Sequence, residues 1–149
     1  SLASVKQMYV SYAATDKVKF TLGKWATHVG YELVDAISNR NYSMSYMFTN
    51  GPFSHTGVKL DVTEGNVGFM VGVANYIDQT VSTTSTRSLI AQLSAGSASG
   101  KFKTYLNYAG CFGSKGGTNP LGLKNFSQLD LVVTGVVSDK FNIGFNWIY

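Results

Sequence analysis

His28 and His55 are the two histidines of the chain and Cys111 is its single cysteine, so metal or nucleophilic chemistry would have to be built from very few groups. Two histidines meeting across a loop could begin a metal site or a general-base couple. A structural zinc centre needs four ligands, and no HExxH, paired-cysteine, GxSxG or P-loop pattern supplies the rest. Polar residues at strand ends are the plainer account. Cys111 has no partner for an internal disulfide and no nearby histidine, which favours a small loop residue over a nucleophile. The Gly-rich run SKGGTNPLG, residues 114–122, lacks both a following Lys-Ser/Thr and a flanking helix, so it makes a weak phosphate cradle. The sequence predicts no enzyme, no catalytic residue, no metal site and no cofactor.

What recurs instead is a polar residue at every second position. Lys19 and Thr21, Lys59 and Asp61, Lys101, Lys103 and Asn107, Gln128 and Asp130, and Asn142 and Asn146 each alternate with apolar neighbours. Period-two patterning means strands, and it is clearest in residues 126–149. There Phe141, Ile143, Phe145, Trp147 and Tyr149 share one face, and Asn142, Gly144 and Asn146 share the other. Ser138-Asp139-Lys140 turns the chain between the two arms. Each arm approaches the roughly 9–11 residues with which a tilted strand crosses a bilayer.

The same alternation predicts strands at residues 5–13, 18–31, 57–63, 67–77, 88–94 and 101–108, and these join the closing hairpin to make eight. Gly23 marks a bulge or a close backbone approach. The connections run short, long, short, long, short, long, short, the long ones being residues 32–53, 78–87 and 110–125. A weak helical period runs through the first of them. Transmembrane barrels keep this rhythm, with tight periplasmic turns and long extracellular loops. Tyr31, Tyr76, Tyr108, Trp147 and Tyr149 then fall at the outer strand ends, where an aromatic girdle belongs. The fold predicted is all-β: an antiparallel up-and-down transmembrane barrel, one domain over residues 1–149.

Composition agrees. Only 13% of the residues are charged, against about 25% in ordinary soluble domains. The net charge of +4 and pI near 9.2 come from lysines spread through alternating strands, not from the clustered patch that nucleic acid requires. No apolar run reaches the ~18–20 residues of a membrane helix.

Gly23-Lys24, Gly30-Tyr31-Glu32, Asn41-Tyr42-Ser43, Pro52-Phe53 and His55-Thr56-Gly57-Val58 together resemble the β-barrel porin family, OmpL-like, of Bacteroidetes-type Gram-negative outer membranes. The resemblance covers about forty residues and is only patterned elsewhere. It implies an outer-membrane channel for passive diffusion of small hydrophilic solutes, surrounded by lipid and associating as a homo-oligomer or in a larger membrane complex. It also implies that the first long loop folds toward the pore, where Arg40, Tyr42 and Tyr46 would form a constriction and Glu32 and Asp35 would supply opposing charge.

The eleven alternating polar residues would line the lumen. Lysine outnumbers aspartate among them by four to two, and a basic wall favours anions. Equally, they are simply solvated positions. Eight closed strands leave no aqueous channel, so the resemblance implies a segment of a larger barrel. The absence of an initiator Met and of a signal peptide suggests a processed form or a piece. Asn142-x-Gly144-x-x-Trp147-x-Tyr149 dissents, since it is similar to the signal that ends many outer-membrane barrels. Two alternatives stay open: a soluble secreted eight-stranded barrel, lipocalin- or avidin-like, holding an apolar ligand, and a small non-conducting membrane barrel.

Overall fold

A computed structural model describes residues 4–83, 85–112 and 126–149. Eight strands form in the expected order: β1 (Met8–Ala13), β2 (Val18–Ala26), β3 (Ser54–Glu64), β4 (Val67–Asn75), β5 (Arg87–Gly96), β6 (Phe102–Phe112), β7 (Ser127–Ser138) and β8 (Phe141–Ile148). Each pairs antiparallel with its sequence neighbour, giving one up-and-down sheet in the order β1 to β8. The sheet is not closed, for β1 and β8 are its two edges.

Strand ends differ from the sequence expectation where alternation alone could not place them. β2 stops at Ala26 and β4 at Asn75, whereas β5 and β6 run on to Arg87 and Phe112. The 64–66 turn closes through Gly65 at φ +56, a left-handed conformation that glycine adopts without steric penalty. At Gly23 the backbones approach closely, since an added Cβ would sit 2.3 Å from the Met8 carbonyl oxygen. Of the third long loop, residues 113–125 lie outside the described residues, and the run 114–122 with them.

The register sorts the alternation into two kinds of row. One row runs across seven strands as Val18, Val62, Phe69, Leu93, Leu106, Leu131 and Trp147. It is wholly apolar, and Phe69, Leu93, Leu106 and Trp147 are exposed on it. The next row, facing the other way, reads Lys19, Asp61, Met70, Gln92, Asn107, Asp130 and Ile148. Apolar side chains therefore cover one face and mostly polar ones the other.

The polar face is concave. From Ala26 to Tyr31 the chain reaches at most about 18 Å, whereas six flat strand spacings would hold β2 and β8 about 29 Å apart. Yet the Tyr31 backbone N–H donates to Asn146 Oδ1 on β8 at 3.4 Å. The sheet must curl to bring them together.

The two ends of the 27–53 loop lie against this concave wall, residues within 27–34 and 47–53 sharing a cavity with Gln128, Asn146 and Ile148, while Ile37 and Tyr42 between them are exposed. The helical period found there yields a 3-10 turn (Ala36–Ser38) and one short helix, α1 (Tyr46–Asn50), capped by Ser45, whose Oγ accepts from Phe48 N at 3.2 Å. Above them a small buried core gathers Trp25, Val29, Tyr76, Ile77, Ile90 and Phe126.

Candidate functional site: a loop anchored on the concave wall

The concave wall is organised around one carboxylate. Asp130 has no solvent exposure, and a buried charge persists only where hydrogen bonds replace water. Its Oδ2 accepts from the Gly30 backbone N–H at 2.9 Å and from Asn107 Nδ2 at 2.6 Å. Its Oδ1 accepts from Asn146 Nδ2. Gln92 Nε2 donates in turn to Asn107 Oδ1 at 2.7 Å. A belt of side chains from β5, β6, β7 and β8 thus presents its negative end to the backbone of the first long loop.

The histidines hold the same loop next to this belt, His28 on β5 and β6 and His55 from β3. His28 Nε2 lies 3.2 Å from the Ala91 carbonyl and 3.1 Å from that of Tyr108, so it donates and leaves Nδ1 without a proton. His55 Nε2 meets Thr27 Oγ1 at 3.0 Å, and the two imidazole rings lie 5.2 Å apart. Among the described residues no group of three or more His, Cys, Asp or Glu could hold a metal ion. Pinning the loop to the wall is what this pair's hydrogen bonds do.

The eleven alternating polar residues grade along the wall. Thr21, Asn107, Gln128 and Asp130 are buried, and Asn146 is half-buried. Thr21 Oγ1 meets Ser11 Oγ at 3.0 Å. Lys59 Nζ pairs with Asp61 Oδ1 at 3.1 Å and sits 5.8 Å from the Trp25 ring centroid. Lys19, Lys101, Lys103 and Asn142 are exposed, toward the rim of tight turns.

The five loop residues separate. Glu32 accepts from the Ser45 backbone N–H at 3.1 Å and from its hydroxyl, and so braces the start of α1. Asp35 pairs with Lys6. Arg40 shares with Glu32, Tyr31 and Asn146 a cavity of about 140 Å³. Tyr42 and Tyr46 are exposed and outside it.

Of the five aromatic residues, Trp147 and Tyr149 stack at 6.2 Å, both exposed, and Tyr108 has the outward register of Leu129. Tyr76 and Tyr31 are placed differently. Tyr76 is 1% exposed, within the core. Tyr31 lies over Gly144, where an added Cβ would come within 3.1 Å of its ring. Both follow the observed ends of β4 and β2, beyond which alternation no longer dictates direction.

Asp78 is a residue that pattern reading passed over. At φ +60, its Oδ1 accepts from Phe53 N at 2.7 Å and Ser54 N at 2.8 Å, tying the second long loop to the end of the first. Burial pushes its carboxyl up from the ordinary value, against the pull of those two N–H groups and of Lys24. An Asp just after a strand is an Asx-turn signal, and that could have found it.

Cavities follow one another along the concave face. One of about 230 Å³ by the tight turns includes Lys103 and Tyr105. Tyr105 also borders a second, of about 290 Å³, which reaches Gly30 and Tyr31 beneath the loop. Tyr31 in turn borders the cavity shared by Glu32 and Arg40. The last two of these cavities share Tyr31, which stands between the wall and the loop.

A family model described as "Putative beta-barrel porin-2, OmpL-like" matches residues 1–149. No curated protein and no solved structure matches the chain.

Proposed function

The chain belongs to the OmpL-like beta-barrel porin-2 family, and from that premise we propose that it lines an outer-membrane channel through which small hydrophilic solutes diffuse passively, with mild anion preference. One observation carries the reading: the apolar row from Val18 to Trp147 lies back to back with the row from Lys19 to Asp130. Lipid takes the first and a watery lumen the second. A soluble ligand-binding barrel would turn its apolar rows inward and its charges outward.

The inward loop supplies the constriction, with Arg40 and Glu32 on one cavity and Tyr31 between that cavity and the wall. Anion preference rests on Lys19, Lys101 and Lys103 at the tight-turn rim, because Asp61 balances Lys59. The tight turns then face the periplasm and the long loops the exterior. Reconstitution of the membrane-purified protein in planar bilayers tests this. The reading expects ohmic conductance and an anion-selective reversal potential that moves toward zero in a Lys19→Ala, Lys103→Ala variant. Bilayers that stay electrically silent would remove the channel.

A further inference from the structure

The cavity beneath the loop differs chemically from the rim. Tyr31, Tyr105, Gln92, Asn107, Thr134 and Val132 border it, and no Lys, Arg, Asp or Glu does. Asn107 and Gly30 have their polar groups committed to the Asp130 belt. His28 borders it too, and four groups are left over. Among the described residues Gln92 Oε1, Tyr105 Oη, Thr134 Oγ1 and His28 Nδ1 have no hydrogen-bond partner, and all four residues are half-buried.

An uncharged space with two acceptors, the Gln92 carbonyl and the His28 ring nitrogen, two hydroxyls that donate or accept, and two tyrosine rings suits a particular kind of guest. The guest needs several hydroxyls to match the polar groups, apolar C–H faces for the rings, and no charge, since nothing here would neutralise one. Its volume of about 290 Å³ stands near the lower end of small-molecule sites, about 300 Å³.

Building on the channel reading, we propose that this cavity is a binding station for neutral polyhydroxylated solutes of monosaccharide size. The rim lysines govern ions; the station governs sugars. Tyr31 bounds it on the loop side, so a bound solute and the loop meet at one ring.

The test titrates the membrane-purified protein with glucose, and with gluconate as the anionic counterpart of similar size, by saturation-transfer NMR. Heat-modifiable gel mobility checks that each variant folds. Glucose should bind saturably and more tightly than gluconate. Tyr105→Ala and Gln92→Ala should each weaken glucose about tenfold, the loss of one well-placed contact, with Tyr105→Phe losing less than Tyr105→Ala. No saturable glucose signal, equal affinity in folded variants, or tighter gluconate binding would each overturn the station. Conductance in bilayers separates the two readings. Ion flow without glucose binding keeps the channel and sinks the station, whereas glucose binding without ion flow does the reverse.

Discussion

Asp130 accepts the backbone N–H of Gly30, 100 residues earlier in the chain, at 2.9 Å. That contact crosses from the β7 wall to the first long loop, and it makes the loop's position depend on one buried carboxylate. Asp130→Ala would orphan Gly30 N–H and Asn107 Nδ2 together and leave Asn146 Nδ2 only its bond to the Leu131 carbonyl. The expected cost is about 3 kcal/mol in thermal or denaturant unfolding. Single-channel recordings should also show a larger, noisier conductance as the loop leaves the lumen. A quiet, unchanged channel from a folded variant would mean that the loop does not constrict.

Gly144 and Gly57 make a contrasting pair. At Gly144 the three atoms nearest an added Cβ all belong to the Tyr31 side chain, the closest at 3.1 Å, so Gly144→Ala should fold, cost about 1 kcal/mol and alter conductance by shifting Tyr31. At Gly57 a Cβ would stand 2.2 Å from the Val73 carbonyl oxygen, within the β3–β4 ladder. Gly57→Ala should block assembly, seen as loss of the heat-modifiable folded band. Equal behaviour of the two variants would count against the register.

Asp78 yields a pH dependence with a definite sign. Its folded pKa lies above the ordinary 3.8, so the native state holds more protons than the unfolded one between those two values. Stability therefore falls as pH rises through that window. Asp78→Asn keeps a side-chain carbonyl for Phe53 N and Ser54 N and tolerates the positive φ, while shedding the charge. The melting-temperature gap between Asp78→Asn and the parent should widen in favour of the substitution on going from about pH 4 to 7. Asp78→Ala, which leaves both N–H groups unmatched, should cost about 1 kcal/mol.

The balanced pair Lys59–Asp61 predicts opposite shifts in selectivity. Asp61→Asn leaves the Lys59 charge uncompensated and should move the reversal potential toward anions. Lys59→Met should move it toward cations by a similar amount. Shifts of the same sign would show that these charges do not face the ion path.

The outward row gives a test of what surrounds the sheet. Leu106 lies between Leu93 and Leu131, and Leu106→Arg should cost about 2–4 kcal/mol for folding into lipid vesicles. A cost near zero would speak for water on that face.

The eight strands and their order were legible because period-two alternation is local and repeats in each segment. Which residues share the polar face and which the apolar one followed from it wherever a strand continued. The approach of His28 and His55 was also readable, since each flanks the same loop. Tyr31 and Tyr76 were misdirected because alternation says nothing once a strand ends, and β2 and β4 end before them. The Asp130 anchor was half-readable: the carboxylate appeared among the lumen residues, but its partner is a backbone N–H of Gly30, which has no side chain to signal it. Nor could the pattern say how tightly the sheet curls, which decides whether a loop leaving β2 reaches β8.

Because every strand pairs only with its neighbour in sequence, circumference in this sheet is additive. A whole hairpin could be inserted or deleted at a tight turn without shifting the register of any other pair, changing the bore by a fixed step. The inward loop is the exception to that freedom. It is cut to span from β2 to β8, so any added hairpin between them would carry Asp130 and Asn146 away from Gly30 and Tyr31. Duplication can therefore widen such a wall cheaply only outside the arc that the loop bridges.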